Sequence, residues 1–332
     1  MLDAGKISII VIIIIINGLF YKYFIKTYFV KRNMTGNQSA VVKNNGQLLK
    51  ATQRLNARNL HVLNNKIYSI SDFEAYFVGL IEGDGCFSIT KKGIYLTYEL
   101  SLEMSIRDIQ LLYKLRKILG IGIVSPRKDR PDMANLRIKN KKHLKSIILP
   151  IFDKYPMLTN KEFTYQWFRK NLLDNVVNYD KLEAKGSVPL IYSSDKKSKD
   201  YKLTMERISV ILSTKYFESW LVGFIEAEGC FSMYNSESIN DKVISFSISQ
   251  TNAYEVIEAI RIYLSITSNV NTDSTNNSEI KTESKRGIEN VVKYLGQNRV
   301  KLLGYKRLQF ILFLKAIRVT NRYNHINVPV NY

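Results

Sequence analysis

Phe77-Val-Gly-Leu-Ile-Glu-Gly-Asp-Gly85 and Leu221-Val-Gly-Phe-Ile-Glu-Ala-Glu-Gly229 are two nonapeptides of one pattern. They stand 144 residues apart and agree in character at nearly every position. The agreement runs on downstream. Leu100-Ser-Leu-Glu-Met104 answers Phe246-Ser-Ile-Ser-Gln250. Leu158-Thr-Asn-Lys-Glu-Phe-Thr-Tyr-Gln-Trp-Phe168 answers Leu303-Gly-Tyr-Lys-Arg-Leu-Gln-Phe-Ile-Leu-Phe313. Offsets stay between 144 and 146, so the chain contains a tandem duplication. Two copies are too few for a solenoid and fit a pseudo-twofold pair of subdomains.

Within each copy the periodicity reads helix, strand, strand, helix, strand, strand, helix. Ser71 and Glu74 have the spacing of a capping box, and Phe73, Phe77, Leu80 and Ile81 then follow helical spacing. Cys86 to Thr90 alternates as a strand, with Phe87 and Ile89 inward. Glu99 to Met104 and Asn135 to Lys139 alternate likewise, and helical stretches at 143–152 and 160–173 close the copy. The expected organisation is a hydrophobic segment at 1–32, a polar basic linker at 33–70 and a first subdomain at 71–185. A linker at 186–212, a second subdomain at 213–320 and a C-terminal tail at 321–332 complete it.

Each motif helix carries small residues four apart, Gly79 with Gly83 and Gly223 with Ala227. Glycine in a helix interior costs about 1 kcal/mol against alanine, so a compensating close approach of two backbones is expected. Packing the two helices face to face brings Asp84 and Glu228 together near the axis. A carboxylate at a helix C-terminus opposes the macrodipole, a poor choice for stability. Such a pair suits a hard cation, Mg²⁺ or Mn²⁺.

The 332 residues hold 49 Lys and Arg against 29 Asp and Glu, a net charge of +20, with 45% apolar residues. The apolar share excludes a disordered chain, and the charge implies a polyanionic partner: nucleic acid or an anionic membrane surface. Cys86 and Cys230 are too few for a disulfide framework, and His61, His143 and His325 lack ligand spacing for zinc. The abundance of Ile, Lys, Asn and Tyr points to an AT-rich, organellar gene, and the expected location is the mitochondrion. The apolar run from Ile7 to Tyr21 falls short of the ~20 residues that span a bilayer and comes close with Tyr23 to Ile25; with Lys22, Lys26, Lys31 and Arg32 on one side, it reads as a membrane anchor or a remnant of fusion to a membrane protein.

The two nonapeptides resemble the paired motifs of the LAGLIDADG homing endonucleases in their single-chain form, over residues 71 to 320. The resemblance implies an α+β fold of two αββαββα subdomains whose antiparallel sheets form a ββ-saddle over duplex DNA. It also implies divalent-metal cleavage of both strands across the minor groove, leaving short 3′ overhangs. By position, Asp84 and Glu228 would be the metal-binding acids, together with the adjoining Gly85 and Gly229. Glu at 228 departs from the more usual Asp.

The repeat matches Lys161 to Lys306, which would stabilise developing charge, and Gln250 is similar in position to a polar pocket residue of the family. Its counterpart in the first copy is Met104. Outward strand residues Ser88, Thr90, Lys92, Ser232, Tyr234 and Ser236 would read DNA. Arg137, Lys139, Lys281 and Lys285 would grip phosphates. Glu99 and Glu103 sit uneasily on such a surface. The internal pseudo-twofold makes a monomer the expected unit. The rival reading is a maturase that binds group I intron RNA and assists splicing without cutting DNA.

Overall fold

The computed structural model describes residues 69–186, 201–236, 241–330 and Tyr332. The apolar run at 7–25, nearly all of the stretch read as a basic linker, and residues 187–200 lie outside the described residues.

The first half opens with α1 (Ile70–Asp84), which passes straight into β1 (Gly85–Lys92). Gly93, at φ +63°, supplies the left-handed turn into β2 (Tyr95–Ser105). Then follow α2 (Ile109–Leu119), β3 (Ile123–Pro126) and β4 (Met133–Ile138). A helical run, α3 (Lys141–His143), a π turn and α4 (Leu149–Lys154), leads to the closing helix α5 (Lys161–Leu173). After α6 (Tyr201–Leu212), the second half repeats the order. It comprises α7 (Phe217–Glu228), β5 (Gly229–Ser236), β6 (Asp241–Thr251) and α8 (Tyr254–Tyr263). The short β7 (Asn271–Thr272), β8 (Asn277–Thr282), α9 (Lys285–Gln297) and the closing helix α10 (Tyr305–Val319) complete it.

The strands form two four-stranded antiparallel sheets, ordered β1-β2-β4-β3 and β5-β6-β8-β7. Their registers correspond, with Met104 opposite Ala134 in one and Gln250 opposite Ser278 in the other. The duplication extends into the core. The Phe87 ring lies 5.1 Å from Tyr165 and 5.0 Å from Phe168, and its counterpart Phe231 lies 5.1 Å from both Phe310 and Phe313. Each closing helix is thereby fastened to the first strand of its own sheet, burying aromatic area that dominates such contacts. This is the paired αββαββα architecture the motifs led us to expect.

The first helix cap differs from the expected one. Ser69, not Ser71, is the N-cap, and its Oγ accepts from Asp72 N at 3.1 Å. Asp72 supplies the acid of the Ser-x-x-acid spacing just as well, and Glu74 turns away to pair with Lys154 at 2.8 Å. Within the expected linker at 186–212, residues 201–212 are helical, with Ile208 and Ile211 buried and α6 packed on α8. Much of the stretch 321–332 folds back on the second half. The fully buried Tyr323 donates to Glu283 O at 2.9 Å, and the Tyr332 ring lies 4.6 Å from Phe310. Among the described residues, no single helix is long and apolar enough to cross a membrane.

Candidate active site

α1 and α7 touch through their small residues. A Cβ built on Gly79 would lie 2.0 Å from Trp220 O, and one on Gly223 would lie 1.9 Å from Tyr76 O. One turn further, a Cβ on Gly83 would lie 2.2 Å from the Ala227 methyl. The backbones are as close as glycine permits, which accounts for glycine inside two helices.

The close approach fixes two acids that sequence reasoning left without a role, Glu82 and Glu226. Glu82 is fully buried and accepts from Leu158 N at 2.5 Å, Thr159 N at 3.0 Å and Trp220 Nε1 at 3.3 Å. Glu226 accepts from Leu303 N at 2.6 Å, Gly304 N at 3.1 Å and the Tyr76 hydroxyl at 3.0 Å. Each acid therefore ties its motif helix to the start of the closing helix in its own half. Each is also tied to the opposite motif helix by an aromatic donor. Burial pushes both carboxyls up to about 7, against the pull of those hydrogen bonds. The legible signal was an acid at the same place in both motifs, inside an otherwise apolar helix.

Asp84 and Glu228 end the two helices, and Gly85 and Gly229 follow as C-caps. Burial pushes both carboxyls up to about 6. The Asp84 charge pushes Glu228 further up, and the charges of Lys161 and Lys306 pull both down. Gln250 bridges the halves: its Nε2 donates to Glu228 Oε1 at 3.0 Å and to Glu82 O at 3.4 Å. Met104, its counterpart, is buried and gives Asp84 no such donor.

The matched lysines cap the helix ends. Lys161 Nζ donates to Gly85 O at 3.0 Å, Ile81 O at 3.5 Å and Gly83 O. Lys306 Nζ donates to Gly229 O at 2.5 Å. A cation at a helix C-terminus offsets the unfavourable carboxylate there. Burial pushes the Lys161 ammonium down, although Glu228, Glu82 and Asp84 pull it up. Asp84, Glu228, Lys161, Lys306, Gln250, Gly85 and Gly229 thus come together at one centre.

The strand residues lie apart from it, on the two sheets. Ser88, Thr90 and Lys92 alternate with Phe87 and Ile89 along β1. Ser232 Oγ is 2.6 Å from Ser245 Oγ, and the Tyr234 hydroxyl donates to Glu283 at 2.9 Å beneath Lys281. Ser236 ends β5, and Lys285 opens α9. Arg137 forks onto Glu99, Lys139 lies 3.1 Å from the same carboxylate, and Lys281 lies 2.8 Å from Glu283. Glu103 pairs with Arg127 and with Arg130 at 3.3 Å. The unexplained acids are therefore counter-ions. Burial works to raise Glu99, yet its bonds to Arg137 and Lys139 hold it below the ordinary range.

A family model described as LAGLIDADG endonuclease matches residues 77–172 and 221–317, together more than half of the chain. The probable intron-encoded endonuclease Cox1-I1b of Schizosaccharomyces pombe is 30% identical over 262 residues, 74% of this chain and 64% of that protein. The probable intron-encoded endonuclease aI3 of Debaryomyces hansenii is 26% identical over 288 residues, 76% of this chain and 39% of that protein. The chain spans less than two thirds of the length of these relatives. The solved structure of I-SmaMI bound to an uncleaved DNA target in the presence of calcium ions has a TM-score of 0.58 and 23% identity. It covers 76% of this chain and 93% of that chain, a likeness of fold. Each matched span runs from a motif helix to its closing helix, the same unit the hydrogen bonds of Glu82 and Glu226 hold together, and the chain belongs to the LAGLIDADG endonuclease family.

Proposed function

We propose that the chain is a site-specific endonuclease that cuts both strands of a long asymmetric DNA target by metal-dependent phosphodiester hydrolysis, and so promotes mobility of its intron. The observation that carries this reading is the convergence of Asp84 and Glu228 at the ends of two packed helices, with a matched lysine on each side. An RNA-only maturase has no chemical need for that pair. Relatives named as intron-encoded endonucleases, and a composition rich in Ile, Lys, Asn and Tyr, support a mitochondrial gene.

The donor set suits Mg²⁺ or Mn²⁺. Asp84 and Glu228 offer hard oxygens, and few protein ligands leave places for water and phosphate. The neighbouring Gly85 and Gly229 carbonyls already accept from lysine, which leaves each a second lone pair. When bound, such a metal would activate water and stabilise the leaving oxygen. The chain's own residues do the rest. Lys161 and Lys306 hold positive charge where negative charge develops on the phosphoryl oxygens. Gln250 fixes the Glu228 carboxylate, while Asp84 lacks an equivalent donor from Met104. The two sheets supply DNA-facing residues on either side of the centre.

The functional unit in this reading is a monomer, since each motif helix already has its partner. The test is incubation of the full chain with DNA spanning candidate intron insertion sites, with Mg²⁺ and with EDTA. Metal-dependent double-strand cutting at one site is expected. Stimulated splicing of the intron RNA, with no DNA cut in Mg²⁺ or Mn²⁺, would sink the proposal.

A further inference from the structure

Asp108, in the first half, accepts from the backbone N–H of Tyr305, in the second, at 2.6 Å. Tyr305 begins α10, and its neighbour is Lys306. The first N–H groups of a helix have no partner within it, so whatever caps them sets where the helix starts. The matching helix of the first half, α5, is capped from within. Thr159 Oγ1 accepts from Lys161 N at 3.3 Å.

The residue that matches Thr159 is Gly304, which has no side chain to offer. A Cβ at Gly304 would come within 2.4 Å of Asp108 Oδ1. The residue that matches Asp108, at the offset relating Met104 to Gln250, is Tyr254, which carries no carboxylate. The second half thus has no side chain of its own at this point, and the first half reaches across to accept from the first N–H of α10. Two further contacts follow the same direction. Lys114 Nζ donates to Leu303 O at 2.9 Å, and the Arg107 guanidinium lies 5.4 Å from the Tyr305 ring.

We infer that Asp108 is a positioning residue for Lys306, so that one of the two strand cuts depends on a helix cap reaching across from the other half, while the other relies on a cap from its own half. Asp108 acts through the first turn of α10, which carries Lys306 to the Gly229 carbonyl beside Glu228. A displaced helix start moves the ammonium away from the developing charge, and displacements near 1 Å cost about a hundredfold in rate. This inference rests on the nuclease reading given above.

The test uses the full chain and a supercoiled plasmid carrying the cleaved target, with each strand's cut followed separately. Asp108→Ala is expected to slow one strand by about tenfold or more relative to the other, so that nicked circles accumulate. The slowed strand should be the one that Lys306→Ala slows. Asp108→Asn keeps an oxygen that accepts from Tyr305 and should restore linear product. Equal slowing of both strands by Asp108→Ala, no slowing, or slowing of the strand that Lys306→Ala leaves fast would overturn the inference. Wild-type protein that cuts no DNA would defeat the nuclease reading instead. Amide exchange then decides the positioning role. Asp108→Ala should speed exchange at Tyr305 and Lys306 while Asp108→Asn does not, and unchanged exchange in both would overturn it.

Discussion

Tyr76 and Glu226 are joined across the two halves: the Tyr76 hydroxyl donates to Glu226 Oε2 at 3.0 Å, and both side chains are buried. The mirror contact runs from Trp220 to Glu82 at 3.3 Å. Helix packing, the buried acids and the start of each closing helix are therefore one mechanical unit.

Glu82→Gln should expose how tightly that unit is bound. The carboxylate accepts from three donors, and an amide would turn its own N–H₂ toward one of them. The expected loss is about 1–3 kcal/mol, the cost of a buried donor left unpaired. Urea unfolding of the variant checks it; an unchanged midpoint would contradict the assigned hydrogen bonds.

Gly79→Ala should be worse, because the new methyl meets the Trp220 carbonyl of the partner helix rather than a yielding side chain. Overpacking here should remove about 3 kcal/mol or more. Gly186→Ala is the control, since its nearest neighbour is Phe163 at 3.8 Å, and it should change stability by less than about 0.5 kcal/mol. Thermal melts of the two variants side by side make the comparison.

The pH dependence should invert when metal is added. Asp84 and Glu228 are raised from 3.8 and 4.5 to about 6 by burial, with their mutual charge adding to it for Glu228. The folded chain thus holds more protons than the unfolded one between those values. Their contribution to metal-free stability is fully present below the unfolded values and is lost as pH rises through about 6. A divalent ion needs the ionised forms, so its affinity should climb over the same range. Melting temperatures from pH 5 to 7, with and without Mg²⁺, test this. The Asp84→Asn, Glu228→Gln double variant should show a shallower metal-free decline and no metal response. A double variant indistinguishable from wild type would contradict it.

Glu99→Gln should strengthen DNA binding. Arg137 and Lys139 share the Glu99 carboxylate, so its removal frees two cations at the end of β4, on the surface proposed to meet DNA. Affinity at low salt should rise, and the slope of log affinity against log salt should steepen by about one to two contacts. A filter-binding series across salt concentrations measures both. A flatter slope would mean that Glu99 holds those cations in their binding position.

Much of this architecture was legible in the residues themselves. The repeat placed both motif helices, and alternation in Cys86 to Thr90 and Asn135 to Lys139 placed strands whose inward faces the structure buries. The glycine spacing led directly to the helix pair. What escaped was whatever depends on contact between distant segments. Glu82 and Asp108 earn their roles only by meeting Thr159 and Tyr305, at separations that no local period encodes. The cap at Ser69 escaped for a smaller reason, since two serines with suitable acids stand two residues apart. Glu99 was unreadable because its partners lie at and just past the end of another strand.

In the proposed reaction the two motif acids carry out cleavage and do not merely close two helices. Double-strand cutting of a target DNA by wild type, Asp84→Asn and Glu228→Gln, in the same Mg²⁺, separates these roles. Wild type should cut, each variant should fall to background, and all three should bind the target comparably, because the sheets are untouched. Equal cutting rates in all three would show that the acids are structural and that the chemistry lies elsewhere.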